Sequence, residues 1–155
     1  MNARPLLERL ARTLAARRLD AVLVGNAAAA LQGAPVTTLD FDFMFRKTGG
    51  NVRKLRAVAR DLGAVILTPF YPASELFRLV NEDIGLQADF MARLDGVRSF
   101  EGLRARATPA VFAGATLLVA DLRDIIRSKR AANRARDRAV LPLLEATLRE
   151  KARQR

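Results

Sequence analysis

Two aspartates two residues apart interrupt an otherwise apolar, aromatic run, Leu39-Asp40-Phe41-Asp42-Phe43-Met44-Phe45. This stretch constrains the fold more than any other. Side chains alternate across a β-strand, so Asp40 and Asp42 project from one face while Leu39, Phe41, Phe43 and Phe45 project from the other. Burying the aromatic face fixes the strand in a sheet and sets two like charges side by side on its opposite face. That placement is costly unless a cation lies between the carboxylates. Paired carboxylates suit a hard divalent ion. A third acid, Asp89, lies in the alternating segment Leu86-Gln87-Ala88-Asp89-Phe90-Met91, on the face opposite Leu86, Ala88 and Phe90. If the two strands are neighbours, three carboxylates meet, and Mg²⁺ or Mn²⁺ becomes the expected cofactor.

What the chain lacks narrows the chemistry. Among 155 residues there is no His and no Cys, so His-based triads, His-ligated zinc, thiolate sites and disulfides are excluded. The serines are Ser74, Ser99 and Ser128. Chemistry must therefore rest on carboxylates, lysine, arginine, hydroxyls and a bound ion. The length fits one domain with one core. No apolar run is long enough for a membrane span, and Met1–Pro5 runs into charged, helix-like sequence without the apolar core of a secretory signal; the expectation is a cytoplasmic protein with no membrane partner.

The remaining pattern reads as one α/β (α+β) domain, 1–155: a mixed β-sheet core at about 20–120 flanked by helices, then basic C-terminal helices at about 121–151. Helical spacing is predicted at Pro5–Arg18, Ala27–Gln32, Val52–Leu62, Phe100–Ala105, Asp121–Ala132 and Asp137–Lys151. Strands are predicted at Ala21–Val24, Thr38–Phe45, Ala64–Leu67, Glu75–Val80 and Leu86–Ala92, with two short ones around Ala113-Gly114. Asn81–Gly85 reads as a hairpin connection, 69–72 as a loop, and Gly49-Gly50-Asn51 as a break.

A second feature lies one strand before the acidic pair. Val22-Leu23-Val24 meets a helix through Gly25-Asn26, and a glycine turn between strand and helix aims free N–H groups and the positive end of the helix dipole outward, as a phosphate seat.

The net charge is +11, which favours a polyanionic partner. From Arg123 to Arg155 eleven basic residues face four acidic ones, about two-thirds of the excess. Lys129 continues the apolar stripe of Leu122, Ile125 and Ile126, where it either snorkels outward or reaches into a cleft toward phosphate. Arg127, Arg130, Arg134, Arg136 and Arg138 read either as a solvated helix face or as a surface for an RNA backbone; without interleaved aromatics, such binding would be phosphate-driven and salt-sensitive.

The combination of glycine turn, short helix, Thr38-Leu39-Asp40-Phe41-Asp42 and a later Asp on another strand resembles the polymerase-β-like nucleotidyltransferase superfamily, in particular the small bacterial toxin–antitoxin group. The likeness covers roughly residues 20–140. It implies Gly25 and Asn26 as the nucleotide-phosphate turn, Thr38 at the family threonine, Asp40 and Asp42 as metal ligands, and Asp89 as third carboxylate and proton acceptor. Lys129 would be the phosphate-contacting lysine. Asp137 would follow the family's basic pair and would cap the last helix or pair with Lys129 rather than bind metal. The implied activity is Mg²⁺-dependent transfer of an NMP from an NTP to an acceptor hydroxyl, on tRNA above all, with protein or antibiotic hydroxyls as alternatives. A cognate toxin or antitoxin is the implied protein partner. Three positions depart from the family pattern: Asn26 replaces a second Gly or Ser, Gln32 a common His, and Val36 an arginine. They open a second reading, in which the fold survives as an antitoxin or RNA-binding module with a weakened site.

Overall fold

The computed structural model describes residues 3–38, 40–67 and 76–154. The predicted loop at 69–72 and the positions of Leu39 and Glu75 lie outside them. In chain order the elements are α1 (Arg4–Ala16), β1 (Ala21–Val24), α2 (Gly25–Leu31), β2 (Phe41–Phe45), α3 (Gly49–Asp61), β3 (Val65–Leu67), β4 (Leu76–Asn81), β5 (Leu86–Met91), α4 (Phe100–Arg106), β6 (Thr108–Phe112), β7 (Ala115–Val119), α5 (Leu122–Ala132) and α6 (Ala135–Arg153). A single 3₁₀ turn, Glu82–Ile84, joins β4 to β5.

The strands form one mixed seven-stranded sheet in the order β3-β4-β5-β2-β1-β7-β6. The β3–β4, β4–β5 and β6–β7 pairs are antiparallel, β2 runs antiparallel to β1, and the β2–β5 and β1–β7 pairs are parallel. The acid-bearing β2 thus sits at the centre, beside β5 as its alternation required.

The apolar face of β2 explains why it lies there. Phe41, Phe43 and Phe45 are buried together with Phe90 of β5. Phe43 stacks on Phe90 with ring centroids 4.8 Å apart, and Phe45 meets Phe90 edge-on at 6.0 Å. Rings of this size bury the largest apolar areas in the core and lock the two strands in register. Helix α1 buries Leu7, Leu10, Ala11 and Leu14 and packs on β6, β7 and α3. Helix α2 buries Ala27, Ala28 and Ala29 and packs against β1, β2 and α5. Small side chains on α2 let its backbone lie close to the acid-bearing strand.

Local chemistry sets several boundaries. Thr48 accepts a hydrogen bond from Asn51 N and caps α3, so Gly49 and Gly50 open the helix rather than break the chain. Ser99 caps α4 and Asp121 caps α5 in the same way. Asn133, left-handed at φ +52°, ends α5 and turns the chain into α6, which packs back on α5. Gln32 ties these layers together: its Nε2 donates to Ala28 O and Ala120 O, and its Oε1 accepts from Lys151 Nζ of α6.

Candidate active site

Parallel register sets Asp42 of β2 directly beside Asp89 of β5, so both carboxylates leave the same face of the sheet. On the other side of β2, Asp42 faces Val24, the last residue of β1, and the chain then turns through Gly25 into α2. Gly25 has φ +68°, and a Cβ there would come within 2.7 Å of Asp42 Oδ2. Only glycine satisfies both conditions at this turn. A cavity of about 350 Å³ opens over the pair, lined by Gly25, Asp42 and Asp89 on one side and by Lys129, Arg134 and Arg136 on the other.

The charges in this cavity act on one another. Burial, then the charge of Asp89, then that of Asp40, push the Asp42 carboxyl up from 3.8 to about 6. Burial also holds the Lys129 ammonium below its ordinary value, although Asp137 partly offsets it. Lys129 Nζ lies 3.7 Å from Asp137 Oδ1. Asp137 is buried at the start of α6 and accepts from Arg134 N at 3.1 Å and Arg134 Nε at 2.7 Å. It therefore both caps the helix and pairs with the lysine, while Lys129 points inward at the cavity wall.

The other acids differ from the expectation. β2 begins at Phe41, and Asp40 occupies an exposed bend before it rather than the strand. Thr38 explains the bend: its Oγ1 donates to Asp40 O at 2.6 Å and accepts from Asp40 N at 3.3 Å, closing a local turn. Thr38 and Asp40 line a neighbouring depression beside Phe41 and Glu82, although the charge of Asp40 still reaches Asp42. Asp89 is beside Asp42 as expected, but both its oxygens are taken by Arg78: Nε donates at 2.9 Å and Nη2 at 3.1 Å. Among the described residues no group of three acids is arranged to hold a metal ion. The oxygen-only donor set suits a hard ion at Asp42; it does not provide three free carboxylates.

Asn26, one residue past the turn, keeps its side-chain oxygen buried without a hydrogen-bond partner, the single such atom among the described residues. The expected arginine surface divides in two. Arg134 and Arg136 border the cavity. Arg127 and Arg130 line a separate groove between α5 and α6, where Arg130 pairs with Glu145, while Arg127 pairs with Asp124 of the cavity lining. Arg136 has no ion-pair partner among the described residues.

Arg78, Arg93, Asp95, Asp124 and Ser128 also line the cavity and did not stand out in the sequence. Asp124 is buried and held by Arg106 through a two-pronged pair at 2.8 and 3.0 Å. Arg78 was findable: it is the one charged residue of β4, and the hairpin at 81–85 places it opposite Asp89.

Solved structures show the fold. TM1012 of Thermotoga maritima, which carries the name of a nucleotidyltransferase, superposes with a TM-score of 0.62 at 18% identity, over 97% of this chain and 92% of its own. The antibiotic-resistance factor ANT(2″)-Ia superposes with a TM-score of 0.65 at 16% identity, over 93% and 83%. This chain has a polymerase-β-like nucleotidyltransferase fold. ANT(2″)-Ia in complex with adenylyl-2″-tobramycin gives a TM-score of 0.62 at 17% identity, over 93% and 88%. No protein-family model and no curated protein sequence matches the chain. Asp42 and Asp89 stand on adjacent central strands and line the cavity, and no helix among the described residues is long and apolar enough to cross a membrane.

Proposed function

We propose that this chain transfers a nucleoside monophosphate from an NTP to a hydroxyl group, in the cavity over Asp42 and with a divalent cation. The observation that carries this reading is the opposition of Asp42, pressed against the Gly25 turn, to Lys129, Arg134 and Arg136 across the same cavity. An acidic floor under a basic wall matches a triphosphate with its cation better than either matches alone.

Asp42 and Asp40 would hold Mg²⁺ or Mn²⁺, which when bound neutralises phosphate charge and makes the acceptor hydroxyl more acidic. Lys129 and the Gly25-Asn26 turn hold the triphosphate, with Arg134 and Arg136 at its outer edge. In-line attack by the acceptor oxygen forms the new bond to the α-phosphorus and breaks the bond to the β-phosphate oxygen; pyrophosphate leaves, and the proton of the acceptor hydroxyl passes to solvent water. The contribution of these side chains is positioning and charge neutralisation.

The acceptor we favour is RNA, tRNA first. Arg134 and Arg136 continue the cavity wall onto a C-terminal segment carrying an excess of seven positive charges. A polyanion is drawn to such a rim, while a polycationic antibiotic is repelled. The second reading, an antibiotic hydroxyl, is favoured by the shared fold with ANT(2″)-Ia in complex with adenylyl-2″-tobramycin. A place in a toxin–antitoxin pair follows from the likeness of the Gly25–Asp42 motif. Incubation with each α-labelled NTP, Mg²⁺ and either bulk tRNA or tobramycin separates the readings. Label on RNA, lost in Asp42→Ala, supports the favoured one. Label on tobramycin alone supports the second. RNA retention without transfer, unaffected by Asp40→Ala, identifies a binding module instead.

A further inference from the structure

We infer that Arg78 is a built-in cation of this site, standing in for one of two divalent ions, so that the chain takes a single ion with its triphosphate. The inference rests on the proposed nucleotidyl transfer and deepens it.

Arg78 sits on a strand whose other residues are Leu76, Phe77, Leu79, Val80 and Asn81, and β4 is covered on both edges by β3 and β5. A lone arginine in such a strand needs a partner, and the antiparallel register supplies Asp89 directly opposite. The pair is a two-pronged fork, Nε to Oδ1 at 2.9 Å and Nη2 to Oδ2 at 3.1 Å. The Asp89 side chain is only 10% exposed, so its charge is committed to this partner, while the Arg78 side chain is 42% exposed and borders the cavity. Guanidinium carries five N–H donors and the fork uses two. The remaining donors are available to a phosphate oxygen at the cavity wall.

Two-ion sites of this chemistry need carboxylates free on both sides of the reacting phosphate. Here both oxygens of the carboxylate beside Asp42 already accept from Arg78. A second ion would have to displace a two-pronged partner of the same charge sign as itself. Arg78 supplies one positive charge in that place without being bound from solution. Asp89 thereby becomes the group that positions Arg78, and Asp42 the one that receives the ion.

The test counts ions. Mn²⁺ bound per chain is measured by equilibrium dialysis with inorganic triphosphate, a probe independent of base identity, against a triphosphate-only control. Wild type is expected to bind one Mn²⁺ and Arg78→Gln two. Two ions on wild type overturn the inference and leave nucleotidyl transfer standing. One ion on Arg78→Gln also overturns it, because the arginine then excludes nothing. No ion on either chain overturns the inference and the ion-dependent reading of the site together. If Arg78→Gln does not fold, Asp89→Asn decides: retention of the single ion supports the inference, and loss of that ion shows that Asp89 is a ligand and overturns it.

Discussion

Gly25 and Asp42 are so close that a methyl group on the glycine would lie 2.7 Å from Asp42 Oδ2. The turn that begins α2 and the carboxylate on the central strand are therefore one unit. Gly25→Ala disturbs both. A Cβ residue at φ +68° costs about 1–2 kcal/mol from backbone strain alone, before the clash with the carboxylate is added. Urea unfolding is expected to show at least that loss, and nucleotide transfer is expected to fall further than stability does, since the displaced carboxylate is the proposed ion ligand.

Asp42 should oppose stability at neutral pH. Its folded carboxyl ionises near 6 against an ordinary 3.8, first because it is buried and then because Asp89 and Asp40 lie near. A raised folded value favours the protonated protein, so this stabilisation is complete below about pH 4 and lost as pH rises through about 6. The loss amounts to at most about 3 kcal/mol, since each tenfold change in an ionisation constant is worth roughly 1.4 kcal/mol. Asp42→Asn should thus match wild type near pH 4, be more stable at pH 7.5, and transfer no nucleotide. Unfolding at both pH values checks it, and Mn²⁺ should raise the stability of wild type at pH 7.5 but not that of the variant.

Asp137 should matter for the opposite reason. It is buried, accepts three hydrogen bonds from Arg134 and sits 3.7 Å from Lys129. Burial works against its charge, but the Arg134 hydrogen bonds, with the charges of Arg134 and Lys129, outweigh it and hold the carboxyl below its ordinary value. Asp137→Asn leaves Lys129 buried without its partner and should cost about 3 kcal/mol in urea unfolding. In the Lys129→Met background the same change should cost clearly less, because the stranded charge is gone.

Arg136 and Arg130 separate RNA recognition from structure. Arg130 is paired with Glu145 in the outer groove, whereas Arg136 borders the cavity with no ion-pair partner among the described residues. Arg136→Ala should change stability by less than about 0.5 kcal/mol. It should weaken tRNA binding and reduce the slope of log affinity against log salt by about one. Filter binding at several salt concentrations gives the slope; Arg130→Ala should move it less.

Much of this site was legible in the residues because alternation leaves few choices. Once Phe41, Phe43 and Phe45 must be buried, Asp42 must face the other way. Ala88 and Phe90 fix Asp89 similarly, and their shared core brings the two strands together. The Gly25 turn was legible because a strand ending at Val24 and a helix beginning at once need a left-handed residue between them. Asp40 falls outside the strand because alternation says which way a side chain points but not where a strand begins; a hydrogen-bonded turn at Thr38 settles that. The Arg78 fork depended on pairing β4 with β5 residue by residue. That register follows from the length of the hairpin, a signal present in the chain but weaker than the hydrophobic pattern. The division of the arginines between cavity and outer groove depends on how α6 folds back at Asn133, which a run of basic residues does not encode.

The most direct measurement follows label from each α-labelled NTP onto bulk tRNA with Mn²⁺, comparing wild type with Asp42→Asn under conditions where both are folded. The account predicts that wild type labels an RNA hydroxyl, releases one pyrophosphate for each nucleotide transferred, and that the variant does neither. No label on RNA, protein or tobramycin with any NTP, or equal labelling by both chains, would contradict it.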